Sequence, residues 1–195
     1  MTLGGQGPRV FITGTPGVGK TTQCKRLAPL LHTECISLGE ALLSSPYVKY
    51  VPHLDTYEIV DMEKAKRYVK PLLSKGRVLE THVVELVDDV DVVFVLRKAP
   101  DVLYAELAKR GWPTRKVVEN VWAEILDVVY VAARERWGKV FQIDVTRRSP
   151  EETSALLMKC LSGECVDEEV DWLSYAERSG FLDFIERLSR SEGLS

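Results

Sequence analysis

Near the amino end, Gly14-Thr15-Pro16-Gly17-Val18-Gly19-Lys20-Thr21 meets every fixed position of the spacing G-x-x-x-x-G-K-[ST]. A loop of this kind needs a buried strand before it and a helix after it. Its glycines let backbone N–H groups curl around a phosphate chain, its lysine reaches the β- and γ-phosphates, and its last hydroxyl can meet Mg²⁺. Both flanks fit. Arg9-Val10-Phe11-Ile12-Thr13 is β-branched and aromatic, the composition of a short buried strand. Between Thr22 and Leu31, residues Leu27, Leu30 and Leu31 recur at helical spacing, with Lys25 and Arg26 on another face. Such a helix aims the positive end of its dipole at the phosphates. Gly14 and the run Pro16, Gly17, Val18, Gly19, Lys20, Thr21 and Thr22 are therefore the expected contacts of a nucleoside triphosphate. The motif is silent on the acceptor.

Alternation continues along the chain. Cys35-Ile36-Ser37-Leu38 reads as a second strand and residues 39–43 as the start of a helix. Residues 44–60, interrupted by Pro46 and Pro52, read as irregular and carry Tyr47, Tyr50, His53 and Tyr57. Asp61 suits the N-cap of a helix with Met62, Ala65, Val69, Leu72 and Leu73 on one side, ended by Lys75-Gly76. Strands are expected at 77–80, 91–96 and 140–144. Helices are expected at 101–110, 116–136 and 150–161, with Gly111-Trp112-Pro113 breaking the first from the second. The pattern predicts a three-layer αβα sandwich around a parallel sheet of about five strands, with ligands at the strands' carboxyl ends.

After Leu161, an acidic linker at 163–169 leads to Trp172, Tyr175, Phe181, Leu182, Ile185 and Leu188, the last four at helical spacing. This divides the chain into a nucleotide-binding domain of residues 1–162 and a helical extension of residues 163–195, whose apolar face docks on its own domain or on a partner. The charge divides at nearly the same place. Residues 1–150 hold 22 Lys+Arg against 18 Asp+Glu, and residues 151–195 hold 4 against 11. A basic body suits polyphosphates, and an acidic tail resists nucleic acid.

A chain of 195 residues buries a full core without disulfides. Cys24, Cys35, Cys160 and Cys165 lack paired C-x-x-C spacing, so they do not read as a zinc site. Free thiols in a reducing cytosol are expected, with a local Cys160–Cys165 bridge as the alternative. Neither a membrane span nor a signal peptide is legible, and Met1 to Pro8 reads as a Gly-rich leader. The expected location is cytoplasmic.

Phosphoryl transfer needs positioning, Mg²⁺ and charge stabilisation. Glu80, at a strand end, can hold a metal-bound water. His82, two residues on, would share its face on a regular strand and can orient a water or donate to an oxyanion. Arg97 ends the most apolar strand, as an ion-pair partner or a phosphate ligand. Arg110, Arg115 and Lys116 flank the break at residues 111–113, where a lid would hinge. Asp55, Tyr57 and Asp61 can line an acceptor site or serve as turn and capping residues.

The P-loop, Glu80-Thr81-His82, the strand ending in Arg97, and Arg110-Gly111-Trp112 followed by Lys116, Glu119-Asn120 and Glu124 occur in an order that resembles the adenylate-kinase-like ATPases of small-ribosomal-subunit maturation, the family of nuclear adenylate kinase isoenzyme six. The resemblance covers roughly residues 8–160, and Val170-Asp171-Trp172-Leu173 resembles the tail of archaeal members. It implies a nucleoside-monophosphate-kinase fold with a short lid near 110–116 and an AMP-binding segment near 39–74. It also implies transfer from ATP to AMP, ATP hydrolysis with Mg²⁺, a small-subunit ribosomal protein as partner, and proximity to pre-ribosomal RNA. In that scheme Lys20, Glu80, His82 and Arg110 act on the phosphates, Thr21 and Glu80 serve the metal, and Asp55, Tyr57 and Arg97 receive AMP. Two positions depart from the family pattern. Glu80 stands for an Asp, and Glu106 stands where many members carry an arginine. An ATP-gated assembly factor and a small-metabolite kinase are the alternatives.

Overall fold

The computed structural model describes residues 7–74, 77–165 and 167–194, with the backbone alone for Leu54 and Ser74. The amino-terminal part of the leader and the Lys75-Gly76 helix end lie outside the described residues.

Five parallel strands form the middle layer: β1 (Val10–Thr13), β2 (Cys35–Ser37), β5 (Val78–Glu80), β6 (Val92–Arg97) and β7 (Val140–Asp144). Their spatial order is β2-β5-β1-β6-β7. Strands β1 and β6 pair in register from Val10↔Val92 to Thr13↔Val95. Helices α1 (Lys20–Leu30), α2 (Leu38–Leu43), α3 (Met62–Val69), α4 (Pro100–Lys109), α5 (Thr114–Ile125), α6 (Val128–Arg136) and α7 (Pro150–Leu161) cover the sheet, and α8 (Trp172–Ser179) and α9 (Phe181–Ser191) follow. Between α2 and α3 lies an antiparallel hairpin of β3 (Val48–Val51) and β4 (Thr56–Ile59).

Strand side chains alternate between faces, so each central strand feeds two cores. Val10, Ile12, Phe94 and Leu96 meet Leu27, Leu103, Val121, Leu157 and Ile185 on one face. Phe11, Leu79, Val93 and Val95 meet Leu38, Leu42, Val69 and Ala133 on the other. The extension joins the first core through Ala176 and Ile185. Trp122 Nε1 also donates to Ser189 Oγ on α9 at 2.6 Å. Among the described residues no helix is long and apolar enough to cross a membrane.

Three expectations change. Residues 44–60 are not irregular: Val48↔Ile59 and Tyr50↔Tyr57 pair, and Pro52 opens the one-turn helix between the two strands. Residues 116–136 are two helices, because Asp127 takes a left-handed conformation at φ 57 and its carboxylate turns to the Arg97 guanidinium. The helical spacing read at Phe181, Leu182, Ile185 and Leu188 is α9, and a separate α8 precedes it, the two meeting at Gly180 with φ 73, a conformation natural to glycine. The cysteines are not free. Cys24–Cys35 ties α1 to β2, and Cys160–Cys165 closes the turn after α7. Their Cα separations of 5.4 and 4.6 Å lie within bridging range.

Candidate active site

The loop from Gly14 to Thr21 crosses the carboxyl end of β1, where the topology places a ligand. Two of its glycines are there for space as well as backbone freedom. At Gly14, φ is 135, and a Cβ would stand 2.4 Å from the Leu96 carbonyl oxygen. At Gly17, φ is 99, and a Cβ would meet Leu107 Cδ2 at 2.6 Å. Gly19 caps α1 without a side-chain hydrogen bond, so no side chain competes for the helix's anion-binding end.

Lys20 is buried and its Nζ donates to the Thr15 carbonyl at 3.0 Å. Burial pushes its pKa down to about 8, with Glu80 and Glu124 opposing and Arg110 adding to the fall. Thr21 Oγ1 donates to Glu80 Oε1 at 3.0 Å. Glu80 is buried where β5 ends, so the two expected metal-serving groups meet.

His82 is not on the pleat with Glu80. The strand stops at Glu80, and Thr81 Oγ1 accepts from Val83 N at 3.1 Å to form a turn. His82 stands on that turn, open to solvent at one edge and crowded by the cleft at the other. The crowding and the charges of Lys20 and Lys116 push its pKa down to about 4, so the ring is neutral at physiological pH.

Two cavities flank the loop. One, about 220 Å³, is lined by Gly17, Gly19, Thr22, Lys98, Arg110 and Arg148. Arg110 is exposed at the end of α4, next to Gly111 with φ 74. Glu106 lines the same cavity and pairs with Lys98 Nζ at 2.7 Å. Arg115 lies outside it and pairs with Glu119 on the surface at 3.0 Å.

A further cavity, about 610 Å³, touches no residue of the loop and lies between α2, β4, α3 and the turn after β5, with Leu42, Val48, Tyr57, Met62 and His82 in its wall. The second cavity that flanks the loop, about 520 Å³, shares Thr56, Glu58 and His82 with it as wall residues and reaches Thr15, Pro16, Lys116 and Asn120. Lys116 spans this mouth. Its Nζ donates to the Asp55 carbonyl at 2.6 Å and sits 4.1 Å from the Trp112 ring centre. Burial lowers its pKa, with Asp55 opposing. The Asp55 carboxylate accepts from Tyr50 Oη at 2.7 Å, so Asp55 shapes the hairpin tip.

Arg97, expected to receive AMP, is instead enclosed. It is 1% exposed. Its Nε donates to Glu124 Oε1 at 2.8 Å and its Nη2 to the Glu124 carbonyl at 2.9 Å. Gln142 and Asp127 accept from it as well. A guanidinium so enclosed is out of a ligand's reach.

The sequence reading missed Thr15, Lys98, Glu124 and Arg148. Only Glu124 left a signal, as the last acid of the Lys116–Glu124 pattern. That spacing puts it two helical turns beyond Lys116, on the side of α5 that meets the sheet.

A family profile described as an AAA domain matches residues 10–127. Relatives align nearly end to end. A Pyrobaculum aerophilum protein described as "Putative adenylate kinase" is 64% identical over 186 residues, covering 95% of this chain and 96% of its own. Proteins of the same description from Saccharolobus solfataricus and Methanocaldococcus jannaschii are 38% and 35% identical, covering 93% and 92% of this chain and 96% and 94% of theirs. In structure, a shikimate kinase from Bacteroides thetaiotaomicron superposes with a TM-score of 0.51 at 19% identity, over 79% of this chain and 98% of that one. At that identity the likeness shows the P-loop kinase fold alone.

Proposed function

Since the chain belongs to the family of AAA-domain P-loop proteins whose archaeal members bear the adenylate kinase description, we propose that it is a nucleoside-monophosphate kinase moving a phosphoryl group between ATP and AMP. The observation that carries this reading is the P-loop standing between two cavities, one against Arg110 and one against His82.

In this reading ATP lies along the loop and the amino end of α1. The loop amides and Lys20, charged below about pH 8, hold its phosphates. Arg110, on the hinge after α4, closes over the transferring group and offsets its charge. AMP fills the cavity walled by Tyr57 and Met62, with its phosphate toward Lys116 and His82. Mg²⁺ fits the pair Thr21 and Glu80. These are hard oxygen donors, and among the described residues no larger cluster of His, Cys, Asp or Glu converges. That suits an ion that takes most of its ligands from phosphate and water. When bound, it would neutralise phosphate charge.

His82 supports a second activity. A neutral imidazole keeps one acceptor and one donor nitrogen, so it can orient a water for ATP hydrolysis when AMP is absent. The role in small-subunit maturation, with a ribosomal protein as partner and pre-ribosomal RNA nearby, rests on the motif resemblance. The extension's apolar face is already spent on the chain's own core, so a partner would meet the acidic outer side. A cytoplasmic location, where ATP and AMP are abundant, accompanies this reading. The test is ADP formation from Mg-ATP with and without AMP, then with a candidate ribosomal protein. Acceleration by AMP is expected. ADP formation that ignores AMP and rises with the protein would turn the reading to a partner-gated ATPase.

A further inference from the structure

We propose that Glu124 is a positioning residue for the donor nucleotide, acting through Thr15 and tying the shape of the P-loop to the carboxy-terminal extension, a role that rests on the reading of the loop as an ATP site.

Glu124 is 2% exposed, on the sheet-facing side of α5. Four donors converge on its carboxylate. Oε1 accepts from Arg97 Nε at 2.8 Å, from the Lys98 amide at 3.0 Å and from Trp172 Nε1 at 3.0 Å. Oε2 accepts from Thr15 Oγ1 at 2.5 Å. An ion-pair partner for Arg97 needs only the first of these, since Asp127, Gln142 and the Glu124 carbonyl also hold that guanidinium. The second oxygen faces the loop.

Thr15 occupies a free position of the motif, so nothing in the spacing demands a hydroxyl there. It is buried, and its carbonyl accepts from Lys20 Nζ at 3.0 Å and from the Val18 amide at 3.4 Å. Fixing its side chain fixes the carbonyl that parks the phosphate-binding lysine and shapes the turn below it. The Trp172 donor comes from outside the nucleotide-binding domain. Trp172 opens α8, and its neighbour Tyr175 donates to the Asp101 carboxylate at 3.1 Å in the first turn of α4. One buried carboxylate thus joins the extension, the sheet and the loop. Such contacts hold a site's geometry without touching the ligand.

The test is calorimetric binding of Mg-ATP, and separately of AMP, to the full chain and its variants, with a thermal melt of each. Thr15→Ser keeps the hydroxyl and should bind ATP as the wild type does. Thr15→Val removes it and leaves Arg97–Glu124 whole. Its ATP affinity should fall about tenfold, the scale of one hydrogen bond to a charged group, with AMP affinity unchanged. Glu124→Gln should weaken ATP similarly, and the double variant no further. Trp172→Phe should weaken it in the same direction by less. If Thr15→Val binds ATP as tightly as Thr15→Ser, or the double variant multiplies the two losses, Glu124 does not act through Thr15. Unchanged affinity in Trp172→Phe removes the link to the extension. A wild type that binds no ATP overturns the P-loop reading instead. Should the melt show that Glu124→Gln is unfolded, the comparison of Thr15→Val with Thr15→Ser still decides.

Discussion

The two sides of the cleft are built differently. On the donor side Gly14 lies against the Leu96 carbonyl, and Thr15, Lys20, Glu80, Arg97 and Glu124 are all buried. On the acceptor side a hairpin of two four-residue strands carries Tyr50 and Tyr57 on its surface, 43% and 52% exposed. It is tied to α5 through Lys116 and the Asp55 carbonyl. Elements with few buried contacts open at low free energy. In the proposed reading the donor pocket would be shaped before ATP arrives, and the acceptor pocket would take its final form around its ligand. Triphosphate chains are alike and reward a fixed cradle, whereas acceptor choice depends on a few movable side chains.

The largest effect should come from the donor side. Lys20→Met is expected to lower turnover about 10²–10³-fold, the scale of removing one preorganised donor to a transition-state charge. The same change should stabilise the fold at neutral pH. Below about pH 8 the lysine is charged both folded and unfolded, so the cost of burying the charge is present in full. It is relieved as pH rises from about 8 toward 10.5, because only the unfolded chain then still binds the proton. Melting curves should show the variant's advantage shrinking over that range. A wild type with no rise in relative stability there would mean that Lys20 is not held charged in a buried site.

Arg97→Met leaves the Glu124 carboxylate buried without its cation and should cost about 3–5 kcal/mol in denaturant unfolding. An AMP-binding arginine on a movable wall would cost far less, so a small loss would erase the contrast between the two sides. His82→Ala should lower AMP-independent hydrolysis roughly 10²-fold and AMP transfer less. Because its pKa is pushed down from 6.5 to about 4, the hydrolysis rate should show no inflection from His82 near 6.5 and should fall only as pH drops toward 4. Equal losses in both reactions would make His82 a wall of the pocket rather than a water-orienting group.

The smallest effect belongs to the tie between α5 and the hairpin. Lys116→Met should raise the KM for AMP about tenfold, the scale of one charged hydrogen bond, and leave the KM for ATP unchanged. A rise for ATP alone would move Lys116 to the donor side.

How much of this was legible in the sequence follows the same divide. The P-loop, its strand and its helix were readable because their chemistry is local. Glycines, lysine and hydroxyl sit within eight residues, and Val10–Thr13 is buried throughout. Thr21 and Glu80 were each legible as groups that could serve a metal, but their hydrogen bond across a sequence separation of 59 comes only with the fold. The hairpin was not readable, since its strands are four residues long and Pro52 stands where a breaker is expected. Asp127 hid the break between α5 and α6 for another reason. Aspartate is compatible with a helix as well as with the left-handed region, and its pairing with Arg97, 30 residues away, accompanies the left-handed turn. Arg97 itself carried two readings, ion pair or phosphate ligand. A strand-end arginine cannot disclose its partners until α5 is laid across it. The Cys24–Cys35 pair was hidden likewise, because the two meet only when α1 returns to the sheet edge, whereas the Cys160–Cys165 bridge is local and stood as the alternative in the sequence.

The fate of the γ-phosphoryl group tests the kinase reading most directly. Wild-type protein is given Mg-ATP labelled at the γ position, with and without AMP, and the products are separated. AMP is expected to divert the label into newly made ADP, and Lys20→Met to abolish this product. Label released as inorganic phosphate at the same rate with and without AMP would contradict a transfer to AMP.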